Sequence, residues 1–384
     1  MTAVWRRLAS VLLVAAAACG GGPGAAPGGD VRVQRSGGAP RLIFGCDRQT
    51  PDLETLFSQD LVADLTDLHA SIALSTEDFS AGRARVVRRL NAAGVPVIAW
   101  LALPRQQGYY VNASNAVQTT ERFRQFDDWS RAQGLRWEAV GLDIEPTLAE
   151  YSALTSHPGA LVSLAARRAF DSGRVARARG AYAALVRDIR GLGYRVQTYQ
   201  LSFIADGRDA HTSLLERIFG IVDVRGDDEV LMLYTSLSRA LGAATIWAYG
   251  PEAQVIAVGS TATAGDAAMD ARYPPLTWDE FSRDLIVASH FSSIVGVYSL
   301  EGCVRRGFMP KLKAMDWSRA VVIPAAQVDK ARQFRSGVRA ILWLGSHLLS
   351  VAAVALLLAA LLLRALFRWR RRRRARKAMR LQPA

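Results

Sequence analysis

The sequence predicts an α/β fold in which eight parallel strands, each followed by a helix, close into a barrel, and three observations carry that prediction. Between residues 41 and 318, short apolar and β-branched runs alternate eight times with longer helical patterns, the signature of repeated βαβ units and a parallel sheet. Eight units in about 280 residues fit the (β/α)8, or TIM, barrel, whose usual size is about 250 residues. An open doubly wound sheet would carry a glycine-rich phosphate loop after its first strand, and 45-GCDRQT-50 is not one.

In chain order, Arg6 and Arg7 precede an apolar run, Leu8 to Ala18, which is too short to span a bilayer and has the length of a signal-peptide core. The run ends AAAC at Cys19, followed by Gly20, and resembles a bacterial lipobox with Ala16 where leucine is usual. That resemblance implies cleavage and lipidation of Cys19; plain cleavage or an uncleaved anchor are the alternatives. The segment 20–40 opens GGGPGAAPGG, a composition that cannot build a core and reads as a flexible tether.

The barrel domain spans 41–318. Its expected strands are Leu42–Cys46, Ser71–Ser75, Pro96–Ala102, Ala139–Ile144, Arg195–Ser202, Glu229–Thr235, Val255–Ser260 and Ser293–Leu300. Its expected helices are Pro51–Leu68, Thr76–Ala93, Asn115–Gln133, Leu161–Gly191, Thr212–Phe219, Leu237–Ala248, Thr277–His290 and Gly307–Ser318. Cys46 and Cys303 fall just after the first and eighth strands, which are neighbours only if the sheet closes. In an oxidising compartment such a pair is expected to bridge, the alternative being two unrelated buried thiols.

A linker, 319–339, leads to Ala340–Leu363, which carries no Asp, Glu, Lys or Arg and is long enough for one transmembrane helix at roughly 20 residues per crossing. The tail, 364–384, holds ten basic residues and no acid. Without them the formal charge falls from +14 to +4, and without Arg6 and Arg7 to +2. The basicity is local, which argues against a nucleic-acid-binding face on the folded domain. Positive residues stay on the cytoplasmic side, so the tail is expected inside and the barrel outside the cell membrane.

Barrel enzymes place their chemistry at the C-terminal ends of the strands. The fourth expected strand ends 139-AVGLDIEP-146, and alternation puts Asp143 and Glu145 on one face, with Gly141 if that face is the barrel axis. Two carboxylates this close push one pKa upward, as a general acid at neutral pH requires; capping the next helix or pairing with an arginine is the structural alternative. Glu301, just past the eighth strand, is the candidate second catalytic carboxylate. Tyr109 and Tyr110 could stack on sugar faces. Gln200, Tyr234 and Trp100, near strand ends, complete the candidate substrate-binding set, although Trp100 also reads as core. Asp47 and Arg48 read as a rim ion pair. Five scattered histidines show no ligand spacing, so no metal site and no cofactor are expected.

The run 138-EAVGLDIE-145 resembles the fourth-strand signature D-G-x-D-x-D-x-E of the chitinase-like family 18 glycoside hydrolases. Asp143 and Glu145 match its last two acids, while Glu138, Ala139 and Gly141 stand where the family has Asp, Gly and Asp. Likewise 230-VLMLYTS-236 resembles the family's M-x-Y-D through Met232 and Tyr234, with Thr235 in place of the acid. The eighth strand, 296-GVYSLEG-302, has Leu300 where the family has Trp. The resemblance implies that Glu145 protonates the leaving glycosidic oxygen and Asp143 orients an acetamido group, a substrate-assisted exception to the two-carboxylate scheme. The expected partner is a cell-wall or extracellular polysaccharide. A barrel that binds glycans without cleaving them, as an envelope scaffold, is the rival, and a protein-interaction module is a third reading.

Overall fold

The computed structural model of the chain describes residues 29–147, 150, 163, 164, 167–262 and 273–379. A short strand, β1 (Val31–Val33), precedes eight parallel strands that close into a barrel in sequence order. These are β2 (Arg41–Cys46), β3 (Ser71–Ser75), β4 (Val97–Trp100), β5 (Ala139–Ile144), β6 (Arg195–Leu201), β7 (Asp228–Met232), β8 (Val255–Gly259) and β9 (Ile294–Tyr298). Closure is made by β2 against β9, in register from Arg41 opposite Ile294 to Gly45 opposite Tyr298. All eight expected strands form, each within a few residues of its expected bounds.

Strand alternation sorts the side chains into two layers. Val140, Leu142 and Ile144 of β5 point outward into the apolar layer beneath the helices. Ile43, Ala73, Ile98 and Ala139 form a separate inner cluster, against which Tyr199 and Ile294 pack. Below that cluster, at the N-terminal end of the strands, Arg41 bonds Glu138, and Ser71 Oγ donates to Glu138 at 3.2 Å. Glu138, the first position of the motif, thus plugs the pole opposite the mouth.

The helices are α1 (Thr50–Leu56), α2 (Gln59–Asp67), α3 (Ala81–Ala92), α4 (Ala116–Ala132), α5 (Ser172–Gly191), α6 (Phe203–Asp209), α7 (Leu214–Phe219), α8 (Ala244–Tyr249), α9 (Trp278–Phe291), α10 (Leu300–Arg305), α11 (Met309–Lys313), α12 (Ala325–Ser346) and α13 (Leu348–Met379). The expected helix over 51–68 is broken in two because Ser58 turns extended and caps α2, accepting from Leu61 N at 3.3 Å. The helix expected from Thr76 begins only at Ala81: Asp78 takes up Thr50, Ser80 and Arg83, and Ser80 caps the helix. Thr277 and Glu280 form a reciprocal capping box on α9.

Two expectations about the flanks are corrected. The tether does not run loose to residue 40: β1 pairs antiparallel with β10 (Val321–Ile323), and Asp30 Oδ1 accepts from Ala325 N at 2.9 Å. The ribbon sits at the N-terminal end of the barrel, where Arg35 bonds the carbonyl of Ser289 and His290 Nδ1 lies 3.1 Å from Gln34 O. The linker expected over 319–339 is β10 and most of α12. That helix buries Val328, Ala331, Phe334, Val338 and Leu342 and sends Arg335 to Asp206 at 3.0 Å and to Glu252 at 2.7 Å. Composition misled here because a helix needs only one apolar stripe to dock.

The expected disulfide is also corrected. Cys46 and Cys303 are buried free thiols, and Cys303 Sγ donates to Thr261 Oγ1 at 3.6 Å. Burial raises both pKa values, that of Cys303 to about 12, and so disfavours the thiolate that bridging requires. Closure rests on the ladder alone.

The 32 residues of α13 leave the barrel, and Leu356, Leu357, Leu361, Leu362, Leu363 and Phe367 on it are exposed. Among the described residues no helix is long and apolar enough to cross a membrane. The side chains at 348, 349, 351, 352 and 355, within the stretch expected to span, lie outside the described set. The leader, with Cys19, lies outside it as well.

Candidate active site

Asp143 and Glu145 both line one pocket at the C-terminal end of the barrel, together with Trp100, Tyr110, Gln197, Tyr199, Met232, Tyr234 and Tyr298. The loop after β4 positions the rim. Val111 N donates to Asp143 O at 2.8 Å, and Glu145 N donates to Val111 O at 3.1 Å, so this loop continues the pairing along β5 past the end of β4. Asn112 and Asn115 fold the loop on itself, and Tyr182 OH donates to Asn112 O at 2.8 Å. As a result Tyr110 faces the pocket. Tyr109 turns away, bonding Asp47 and lying 3.4 Å from Ser75 Oγ.

Gly141 is required here for close approach. A Cβ at this position would lie 2.9 Å from Cε2 of Tyr199, so the Tyr199 ring fills the space that a side chain at 141 would occupy. Tyr199 OH in turn donates to Gln197 Oε1 at 2.6 Å. Across the pocket Tyr234 and Tyr298 stack with ring centroids 5.7 Å apart, and Trp100 meets Tyr298 edge-on at 6.3 Å. Burial, and secondarily the neighbouring carboxylates, hold the phenols of Tyr199, Tyr234 and Tyr298 firmly neutral.

Asp143 is 4% exposed, and its Oδ1 is buried without a hydrogen-bond partner. Its pKa stands well above the ordinary carboxylate range, chiefly through burial, then through the Glu145 charge and then through Asp47. Burial and the Glu145 charge thus favour the protonated form of Asp143 beyond what an exposed carboxyl would show. The room left between the side chains is about 40 Å3. At roughly 10–15 Å3 per water this holds about three waters, so the inner pocket takes a substituent rather than a whole sugar ring.

Other expected site residues lie elsewhere. Glu301 does not line the pocket; it lies in the first turn of α10 with its carboxylate toward Ser299, and burial raises its pKa. Gln200 is one residue out of phase with the inward positions Gln197 and Tyr199, and its Nε2 donates to Val224 O at 3.0 Å on the outer face. Thr235 bonds Asp284 behind the pocket, where burial lifts the Asp284 pKa to about 6. Arg48 reaches Asp52, at 4.0 Å, not Asp47. Sequence reasoning missed Tyr199, Gln197 and Tyr298. Counting every second residue inward along each strand, as was done for β5, would have found all three.

No family model matches the chain, and no curated protein does. Among solved structures it is similar to the PgaB (BpsB) glycoside hydrolase domain from Bordetella bronchiseptica: 14% identity, 72% of this chain and 98% of that chain covered, TM-score 0.41. It is also similar to an L-ribulose 3-epimerase, at 13% identity with 81% and 98% covered and a TM-score of 0.38. The endo-beta1,6-glucanase BT3312 follows at 12% identity, 70% and 68% covered, and a TM-score of 0.38. Hydrolases and an epimerase stand side by side at these scores, so the likeness carries no argument about activity.

Proposed function

We propose that the chain is a membrane-anchored, extracytoplasmic glycoside hydrolase-like protein that acts on a cell-wall or extracellular polysaccharide. The observation that carries this reading is the joint exposure of Asp143 and Glu145 to one aromatic-lined pocket at the catalytic pole of a (β/α)8 barrel. Glu145 donates a proton to the leaving glycosidic oxygen. Asp143, its partner on the same face of β5, orients the substrate beside that acid. Trp100, Tyr110, Tyr234 and Tyr298 supply amphipathic faces for the glycan.

The anchoring half of the proposal draws on the apolar 340–363 stretch, the exposed leucines of α13 and the arginine run that follows. Lipidation of Cys19 belongs to the same proposal; labelled palmitate should enter the wild-type chain and not Cys19→Ala.

The test of the reaction is the full-length chain in detergent, assayed on peptidoglycan and on chito-oligosaccharides beside Glu145→Gln. Release of reducing ends by the wild type and its loss in the variant is the expected result, and equal turnover by both removes Glu145 from the mechanism. One observation favours a second reading, a barrel that binds glycan without cleaving it: Glu301 stays outside the pocket, so among the described residues no second strand brings a carboxylate into it. Retained glycan binding with no turnover selects that reading.

A further inference from the structure

We propose that the mouth recognises a cationic group, and that on the glycan reading above its ligand is an amino sugar with a free ammonium rather than an acetamido group. The lining holds two carboxylates and, among the described residues, no Arg, Lys or His. Asp143 Oδ1 is buried there without a hydrogen-bond partner, an arrangement that leaves the desolvation of a carboxylate uncompensated until a donor arrives. Around it stand the faces and edges of Trp100, Tyr199, Tyr234 and Tyr298, the side chains that attract a cation through their ring quadrupoles.

An acetamido group does not match the charge of this lining: it carries nothing positive to set against the two carboxylates, and Thr235, the position from which the family resemblance would supply a contact to it, is turned back to Asp284. A metal ion does not suit it either: among the described residues no group of three or more His, Cys, Asp or Glu gathers as a coordination shell would. The space of about 40 Å3 admits an amine-bearing substituent at its inner end while the ring remains at the rim. Burial and the Glu145 charge disfavour the ionised form of Asp143 and an incoming ammonium favours it, so any proton that Asp143 carries should leave on binding.

The experiment is calorimetric titration of the full-length chain in detergent with glucosamine oligomers, their N-acetylated counterparts and neutral glucose oligomers. It is run at pH 7 in two buffers of different ionisation enthalpy, with methylammonium as a minimal probe read by Trp100 fluorescence. Free-amine oligomers should bind at least about tenfold tighter than acetylated or neutral ones, with proton release. Asp143→Asn should remove that preference, while Tyr298→Phe keeps it and Tyr298→Leu weakens it several-fold. Equal affinity for acetylated and free-amine oligomers overturns the inference and leaves the glycan reading standing. Methylammonium binding that depends on Asp143, with no oligosaccharide binding at all, upholds the cation site and removes the glycan reading. Silence of both probe classes overturns the inference.

Discussion

On the outer wall Asp206 is fully buried beneath α12, where Arg335 Nε donates to it at 3.0 Å and Tyr249 OH at 2.5 Å. In the mouth Asp143 is almost as deeply buried, yet its Oδ1 finds no hydrogen-bond donor. The wall pattern repeats: Glu216 is met by Arg179, Glu229 by Arg208 and Asp284 by Arg283. These buried acids are each met by an arginine, a fork on both oxygens of Glu216 and Glu229, and an arginine on Oδ1 with a hydroxyl on Oδ2 for Asp206 and Asp284. Asp143 has no arginine, its Oδ1 has no donor, and it faces the pocket, so the donor it lacks is one that a ligand can bring.

Four measurements test this difference between wall and mouth. The largest effect is expected for Glu145→Gln, which should cut turnover by about 100-fold or more, the usual contribution of a positioned proton donor, with the melting temperature unchanged. Next, Arg335→Ala together with Arg339→Ala should strand Asp206 as a buried charge and cost about 3–5 kcal/mol in urea unfolding, with α12 becoming a protease target. A loss under about 1 kcal/mol, the value of an exposed pair, would erase the contrast.

Asp143→Asn should have the opposite sign. The folded pKa of Asp143 lies above its unfolded value of about 3.9, so the folded chain binds this proton more tightly and loses stability as pH rises from about 4 toward the folded pKa. The asparagine variant should therefore be the more stable at pH 8, and the difference should shrink toward zero near pH 4. Thermal melts of both proteins from pH 4 to 8 read it directly. The smallest effect is expected for Gln200→Ala: loss of its bond to Val224 O should cost about 1 kcal/mol and leave ligand affinity untouched.

The barrel was legible because strands buried on both faces must be apolar throughout, and runs such as 71-SIALS-75 and 255-VIAVG-259 can be little else. The acid pair was legible for the same reason, since Asp143 interrupts such a run. Gln200 was misplaced because a position near a strand end says nothing of which face it uses; one residue of phase separates the pocket from the wall. The β1–β10 ribbon and the docking of α12 were not legible. A three-residue strand has no periodicity to detect, and Asp206, Glu252 and Arg335 are brought together from distant parts of the chain.

The ribbon also determines how the domain bears a load. Val31 pairs with Ile323 and Val33 with Val321, so the chain upstream of β1 and the chain downstream of β10 leave from the same end of the ladder, at the pole away from the mouth. Tension between the two flanking segments would open that ladder one residue pair at a time and then peel α12 from the wall. The barrel strands lie outside this path, so the pocket would keep its shape while its attachment was being pulled.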